Sequence, residues 1–188
     1  VIYHKPIDLN LAKNIIKDCQ EEDLHINLYQ DDRLYVREMN SSVKDYEELC
    51  GVSAREVGSL NQFADKDPTK LLVIEENREK HQRFLKYFQD QYLDKLEVAE
   101  SQSHFIEFMA KGVSKGKALK ILAENYSINQ EEVMAIGDSW NDLSMISWAG
   151  LGVAMGNASQ EIKEEADMIT SSRKKDGVTE VIKKVFDL

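Results

Sequence analysis

Cysteine and long apolar runs are scarce in this chain of 188 residues. The two cysteines, Cys19 and Cys50, have no CxxC spacing and no histidine ligand pattern beside them, which leaves no basis for a zinc site or a disulfide framework. Reduced thiols of this kind are typical of a cytoplasmic protein, and that is the predicted location. No apolar stretch approaches the roughly 18 residues of a membrane span. We therefore expect no association with a membrane.

Positive charge is also in short supply, because 24 Lys and Arg residues face 34 Asp and Glu residues and leave a net charge of −10. Nucleic acid binding depends on basic side chains that neutralise phosphates, so we expect no nucleic acid partner. The longest basic cluster, Arg173-Lys174-Lys175, is followed at once by Asp176 and Gly177, and we interpret it as a solvated loop. This composition still allows a small basic site for one phosphate group.

With only two prolines and nine glycines, the chain has no linker of low complexity, and continuous structure is expected. Residues 1–7 are predicted to connect two domains, and residues 8–107 to form an α+β domain with helices on an antiparallel sheet. Helical spacing begins at Leu9, whereas apolar and polar residues alternate from Leu24 as in a half-buried strand. Residues 40–68 resist assignment beyond a short helix within them.

Residues 108–188 show a different pattern. Apolar runs at 133–136 and 151–155 alternate with helical patterns, which predicts βαβ units and a parallel sheet. The boundary between the two patterns falls near residues 108–112. Two domains of different architecture are therefore expected.

A Gly-Asp turn follows the apolar run at 133–136, and a second carboxylate comes four residues after the first. Asp138 and Asp142 placed in this way can share one hard cation, because Mg²⁺ takes oxygen ligands and commonly one or two carboxylates. The end of such a strand is also where open α/β sheets bind ligands. The pattern favours phosphate chemistry, although a Gly-Asp turn is often only a helix cap.

A second candidate segment, Gly112-Val113-Ser114-Lys115-Gly116-Lys117, opens another predicted helix. Free N–H groups and the positive end of the helix dipole favour an anion there. Lys115 would add a point charge for a phosphoryl oxygen. The alternative is an ordinary solvated lysine.

Four blocks in order over residues 112–178 resemble the C-terminal half of Cof-type phosphatases of the haloacid dehalogenase-like (HAD) superfamily. They read GVSKGKAL, EEVMAIGDSWNDLSMISWAGLGVAMGNA, ADMIT and KKDGV. The resemblance implies an α/β fold: a HAD-like Rossmannoid core, with a parallel sheet flanked by helices and incomplete here, and an inserted α+β cap domain. Residues 8–107 would be the cap, and residues 108–188 the C-terminal half of the core.

The same resemblance implies roles for four residues. Lys115 would be catalytic and would bind the transferring phosphate, and Asp138 would be catalytic as a ligand of Mg²⁺, the implied cofactor. Asp142 would support the metal shell, and Asn141 would lie near the phosphate. The partner would be a small phosphomonoester.

The sequence departs from the family at the nucleophile, the first Asp of a DxDGT motif, which occurs nowhere in it. Asp31-Asp32 and Asp65-Lys66-Asp67 lack the apolar strand before them and the Gly-Thr after them, so we interpret them as turn residues. Since the chain begins with Val1, we expect a further N-terminal segment that carries the nucleophile. The chain alone is then expected to be inactive.

The predicted function is Mg²⁺-dependent hydrolysis of a phosphomonoester through an aspartyl phosphate, with a sugar phosphate, a nucleotide or a phosphorylated cofactor as substrate. A phosphomutase of the same superfamily is an alternative, and release of inorganic phosphate would separate the two. A non-catalytic module that binds metal or phosphate is a second alternative. A DxDGT motif upstream of Val1 would exclude that module.

Overall fold

The computed structural model describes residues 1–187 and divides the chain into two compact units. One unit is His4–Gly112, and the other joins Val113–Leu188 with Val1–Tyr3. Residues 4–112 therefore interrupt the second unit in sequence. The predicted divisions, after residues 7 and 107, lie a few residues from these limits.

The His4–Gly112 unit contains a six-stranded sheet with helices on its two faces. Its elements are α1 (Leu9–Glu21), β1 (His25–Gln30), β2 (Arg33–Val36), α2 (Ser41–Cys50), β3 (Ala54–Glu56), α3 (Leu60–Phe63), β4 (Lys70–Ile74), α4 (Arg78–Tyr92), β5 (Leu96–Gln102) and β6 (Phe105–Ala110). The strands lie in the order β3-β2-β1-β4-β6-β5. This arrangement confirms the predicted α+β layering.

Local sequence explains the first elements of this unit. The Asp8 carboxylate caps α1 by accepting a hydrogen bond from the Leu11 N–H at 3.0 Å. Asp31 and Asp32 join β1 to β2 with φ of 53° and 56°, the left-handed values that a two-residue type I′ hairpin requires. These two residues are thus confirmed as turn residues.

One strand pair differs from the predicted antiparallel sheet. β3 lies parallel to β2, with Leu34 opposite Ala54, whereas the other pairs of this sheet are antiparallel. A parallel pair needs a crossover connection, and α2 lies in the segment between the two strands. The prediction missed β3 because its three residues, Ala-Arg-Glu, show no apolar alternation.

Two apolar clusters hold the sheet to its helices. The larger packs the buried face of α1 and α4 against one side of the sheet, with Phe88 and Phe108 fully buried and their rings 5.0 Å apart. The smaller packs Val43 and Tyr46 of α2 against the other side. Cys19 belongs to the larger cluster, and burial raises the pKa of its thiol.

The second unit contains a three-stranded parallel sheet in the order β7-β8-β9. Its elements are α5 (Lys115–Asn125), β7 (Met134–Gly137), α6 (Leu143–Ile146), β8 (Leu151–Ala154), α7 (Gln160–Glu164), β9 (Met168–Ile169) and α8 (Gly177–Phe186), with 3₁₀ turns at Gln130–Glu132, Trp140–Asp142 and Arg173–Lys175. Gly137 pairs with Ala154, so β7 and β8 end at the same edge. The residues that follow them leave the sheet side by side.

Close packing fixes α5 against α6. A β-carbon added to Gly116 would lie 2.2 Å from the Ser144 carbonyl oxygen, and the Gly116 N–H donates to Ser144 Oγ at 3.0 Å. Only glycine allows the two backbones to approach so closely. This contact brings the first residue of α5 to the loop that follows β7.

Within residues 1–187, none of the helices combines the length and the apolar character needed to cross a bilayer.

Candidate active site

Asp138 follows β7 directly and is the first of the predicted site residues. Its Oδ2 accepts a hydrogen bond from Asn157 Nδ2 at 2.7 Å, and its Oδ1 accepts one from Ser139 Oγ at 3.3 Å. The side chain is half-buried. Both contacts leave further lone pairs of the carboxylate available.

Asp142 is buried, and each of its oxygens has a partner. Oδ2 accepts hydrogen bonds from the backbone N–H groups of Asp138 at 3.0 Å and Ser139 at 3.1 Å. Oδ1 accepts a hydrogen bond from the Lys115 ammonium. The carboxylate therefore fixes the turn after β7 and the lysine of α5 at the same time.

Lys115 is the first residue of α5 and stays half exposed at its side chain. Its ion pair with Asp142 directs the ammonium to the end of β7 across 27 positions of sequence. The neighbouring N–H groups are not free as expected, because Gly116 donates to Ser144 Oγ and Lys117 donates to Ser114 Oγ. Anion binding by these two N–H groups is therefore not supported, whereas the half-exposed ammonium can contact an anion while it pairs with Asp142.

Asn141 occupies the 3₁₀ turn between Asp138 and Asp142. Its Oδ1 is buried and accepts no hydrogen bond from any residue in the described part of the chain. A buried amide oxygen without a partner is costly, so a water, a cation or a ligand donor could satisfy it.

The residues at this edge could hold part of the shell of a magnesium ion. Asp138 offers a carboxylate and Asn141 an unpaired amide oxygen, both hard donors of the type that Mg²⁺ prefers. Because the oxygens of Asp142 already accept three hydrogen bonds, its contacts favour a supporting role over direct ligation. No group of three or more His, Cys, Asp or Glu side chains suited to a metal occurs in residues 1–187.

One residue of the site escaped the sequence analysis. Asn157 lies beyond β8 and contacts Asp138, and its Oδ1 accepts a hydrogen bond from the Arg173 backbone N–H at 3.0 Å. The available signal was the alternation of the two apolar runs with a helical pattern, because strands of a βαβ unit are parallel and the residues after them meet at one edge. A lone asparagine in a loop carries no chemical signal of its own.

A parallel sheet flanked by helices, with a carboxylate turn at its carboxyl edge and a lysine held beside that turn, is the arrangement of an open, Rossmann-like α/β fold. The chain belongs to the haloacid dehalogenase-like hydrolase family, which it matches over residues 1–182. This family membership confirms the predicted fold class and the resemblance to HAD phosphatases.

Individual relatives agree with this assignment. A protein of Haemophilus influenzae is 31% identical over 163 residues, which is 87% of this chain and 61% of that protein. The 5-amino-6-(5-phospho-D-ribitylamino)uracil phosphatase YcsE of Bacillus subtilis is 48% identical over 88 residues, 47% of this chain and 35% of that enzyme. The crystal structure of a haloacid dehalogenase-like hydrolase from Bacteroides thetaiotaomicron superposes with a TM-score of 0.87 at 29% identity, covering 97% of this chain and 69% of that one.

The chain thus spans less than two thirds of the length of the Haemophilus and Bacillus relatives.

Proposed function

We propose that this protein is a Mg²⁺-dependent phosphomonoester hydrolase whose site is centred on Asp138 and Lys115. The observation that carries the proposal is the hydrogen-bonded chain from Lys115 through Asp142 to the backbone of Asp138. It joins a fixed cation to a carboxylate turn at the carboxyl edge of a parallel sheet, the position where such folds bind ligands.

Each residue has a distinct part in the proposed reaction. Asp138 would hold Mg²⁺, which when bound polarises a phosphoryl oxygen as a Lewis acid, and Asn141, in the 3₁₀ turn that follows, would contact the phosphate. The Lys115 ammonium neutralises negative charge on the equatorial phosphoryl oxygens in the transition state. Asp142 orients that ammonium before substrate arrives, so little reorganisation accompanies the reaction.

We further propose that the nucleophilic aspartate of the aspartyl-phosphate mechanism is not among the residues of this sequence. The candidate aspartates outside the site have structural tasks in the His4–Gly112 unit. Asp65 accepts from Gln30 Nε2 at 2.9 Å, Asp67 accepts from the Leu9 N–H at 2.9 Å, and Asp31 and Asp32 form the hairpin turn. The sequence contains no DxDGT motif.

The proposed substrates are phosphorylated small molecules: sugar phosphates, nucleotides or phosphorylated cofactors. The substrate in the name of the Bacillus relative is a uracil derivative that carries a phosphorylated ribityl group. It therefore shares a phosphorylated sugar-like chain with sugar phosphates and a pyrimidine ring with nucleotides. A cytoplasmic location belongs to the same proposal, supported by two cysteines, Cys19 and Cys50, that form no disulfide in residues 1–187.

The test is release of inorganic phosphate from a panel of phosphomonoesters by the full-length protein, with and without EDTA. We expect Mg²⁺-dependent release that Asp138→Asn abolishes. Conversion of a sugar phosphate to its isomer without phosphate release would show a phosphomutase instead. Metal binding with neither outcome would show the non-catalytic module.

The 188-residue chain alone, assayed with p-nitrophenyl phosphate and Mg²⁺, is expected to give no turnover. Turnover that Asp138→Asn removes would show that a residue of this sequence replaces the DxDGT aspartate. The proposal about the nucleophile would then be wrong, whereas the phosphatase proposal would stand.

A further inference from the structure

We propose that Asn157 is a positioning residue that sets the orientation of the Asp138 carboxylate, and that the backbone N–H of Arg173 sets the orientation of Asn157. This inference rests on the proposed function, because it concerns how Asp138 is prepared to hold Mg²⁺. Asn157 lies in one of the four blocks that resemble HAD phosphatases and Arg173 in the basic cluster, but the sequence analysis assigned neither residue a role in the site.

The two hydrogen bonds from the Arg173 N–H to Asn157 and from Asn157 to Asp138 form a relay, and the chemistry of their donors and acceptors fixes its direction. The Arg173 backbone N–H can only donate, so the atom of Asn157 that it meets at 3.0 Å is the amide oxygen. The amide NH₂ must then face the other way, and it meets Asp138 Oδ2 at 2.7 Å. A flipped amide would place an oxygen against the carboxylate and an NH₂ against the N–H, which is unfavourable at both ends.

Asn157 donates a hydrogen bond to Oδ2 of Asp138 and thereby fixes the direction in which Oδ1 points. Oδ1 keeps only a contact of 3.3 Å from Ser139 Oγ, a long hydrogen bond by the usual range for hydroxyl donors. Oδ1 is thus the oxygen with more capacity for a cation. Hydrogen bonds to ligating carboxylates orient metal ligands in this way, and their loss typically weakens metal affinity about 10-fold to 100-fold.

The backbone around Arg173 is itself held firmly. The Gly156 N–H donates to the Ser171 carbonyl at 3.2 Å, and the buried Thr170 hydroxyl donates to the Gly177 carbonyl at 2.7 Å. A β-carbon on Gly177 would lie 1.9 Å from the Ser171 carbonyl oxygen, so the loop after β9 closes tightly on the start of α8. Asp138 is therefore connected through Asn157 to a rigid loop.

Two pairs of variants of the full-length protein separate positioning from general damage. Asn157→Leu keeps the size of the side chain and removes its hydrogen bonds, and Gln160→Ala is its control, since Gln160 is exposed, close in sequence, and bonded to Glu164 rather than to Asp138. Arg173→Pro removes the N–H donor at the first position of a 3₁₀ turn, where proline is tolerated, and Ser172 has the extended ψ of 161° that precedes proline readily. Arg173→Ala keeps the N–H and is the control for the side chain.

The measurements are Mg²⁺ affinity by calorimetry, the Mg²⁺ dependence of phosphate release, and the melting temperature. Asn157→Leu should weaken Mg²⁺ binding about 10-fold to 100-fold, and Arg173→Pro should weaken it by a smaller factor. Higher Mg²⁺ should restore most of the rate in both variants, because orientation and not chemistry is lost. Gln160→Ala and Arg173→Ala should match the unmodified protein.

The results that would overturn the inference are distinct from those that would overturn the function. If the unmodified protein hydrolyses phosphomonoesters and Asn157→Leu binds Mg²⁺ normally, the relay is wrong and the function stands. A lower melting temperature with unchanged Mg²⁺ dependence would give Asn157 a structural role only. If the unmodified protein neither binds Mg²⁺ nor releases phosphate, the proposed function fails and the relay fails with it.

Discussion

Gly137 lies so close to Asp142 that a β-carbon added to Gly137 would be 2.4 Å from the Asp142 Cβ and 2.9 Å from its Oδ2. Real β-carbons do not approach other atoms so closely, so the carboxylate occupies the space that any larger residue at position 137 would need. The absence of a side chain at Gly137 is thus a condition for the contact between Asp142 and the turn after β7.

Gly137→Ala is therefore expected to displace the Asp142 side chain and to disrupt its hydrogen bonds with Lys115 and with the turn after β7. Overpacking of this kind costs about 1–3 kcal/mol of folding free energy, and Lys115 should lose its fixed orientation as well. Chemical denaturation and phosphate release under saturating substrate are the measurements. A lower stability should accompany a lower kcat.

The control for this variant is Gly51→Ala, which lies in the other unit. Gly51 has a φ of 65° and no atom within 4 Å of an added β-carbon, so its substitution strains the backbone without touching the site. It should lower stability and leave the kinetics of the remaining folded protein unchanged. Equal kinetic effects of the two substitutions would mean that Gly137 acts only through overall stability.

Lys115→Ala is expected to lower kcat on the order of 100-fold or more, the effect of losing one preorganised donor that stabilises transition-state charge. The change in KM should be smaller, because the ammonium is directed at charge that develops during the reaction. Steady-state kinetics with a good substrate checks this. Lys117→Ala, two residues further along α5 and exposed, is the matched control.

An effect of Lys115→Ala on KM alone would mean that the lysine gathers substrate and does not act on the transition state. Such a result would remove Lys115 from the catalytic residues and leave the phosphate-binding assignment in place.

Asp138→Asn and Asp142→Asn are expected to fail in different ways. Asp138→Asn removes the charge of the proposed metal ligand, so Mg²⁺-dependent turnover should be abolished. Asp142→Asn can still accept hydrogen bonds from the turn, but it loses the charge that attracts the Lys115 ammonium, so turnover should be weakened. Measuring the rate over a range of Mg²⁺ concentrations separates the two.

A larger effect of Asp142→Asn than of Asp138→Asn would change the assignment of the metal ligand. If Asp142→Asn abolished Mg²⁺ dependence while Asp138→Asn retained it, Asp142 would be the ligand, and the three hydrogen bonds to its oxygens would have to rearrange when metal binds.

Most elements with a strong apolar period were predictable from the sequence. The helical pattern from Leu9 to Cys19 corresponds to α1 (Leu9–Glu21), and the apolar run at 133–136 corresponds to β7 (Met134–Gly137). Several short elements without an apolar run of four residues were missed, among them β3, α3 and β9. A segment of that length has too few residues to show a period, and its structure depends on the neighbour with which it pairs.

The site was predictable to the extent that it is local in sequence. Asp138, Asn141 and Asp142 share one turn, so their proximity follows from their spacing. The position of Lys115 depends on the packing of α5 at Gly116, and that of Asn157 on the register between β7 and β8. Contacts of these two kinds are tertiary: the βαβ pattern predicts the edge at which Asn157 lies, but no spacing in the sequence specifies its contact with Asp138 or that of Lys115 with Asp142.

Two histidines of the His4–Gly112 unit predict a pH dependence of stability that is independent of the site. His81 is fully buried and His25 is partly buried, and loss of hydration lowers the pKa of both below the ordinary value of 6.5. His25 accepts from Asn40 Nδ2 at 3.2 Å through Nδ1 when its Nε2–H donates to Asn27 Oδ1 at 2.9 Å. This arrangement suits the neutral ring, because protonated Nδ1 could no longer accept.

The sign follows from which state binds more protons. Between the lowered pKa values and about 6.5, the unfolded chain holds protons on these histidines and the folded protein does not. The stabilising contribution of the neutral rings is thus complete above about pH 6.5 and is lost as the pH falls towards the pKa values of the folded protein, with a slope of at most about 1.4 kcal/mol per pH unit for each histidine.

Urea unfolding from pH 7.5 down to pH 5 should show this loss of unfolding free energy, and His25→Gln should reduce its slope with pH. Val43→Ala is the control, because it removes buried methyl groups from α2 and introduces no titrating group. It should lower the free energy of unfolding by the same amount at every pH. A stability that His25→Gln lowers uniformly, with its slope unchanged, would mean that His25 titrates alike in the folded and unfolded states, contrary to the burial of its ring.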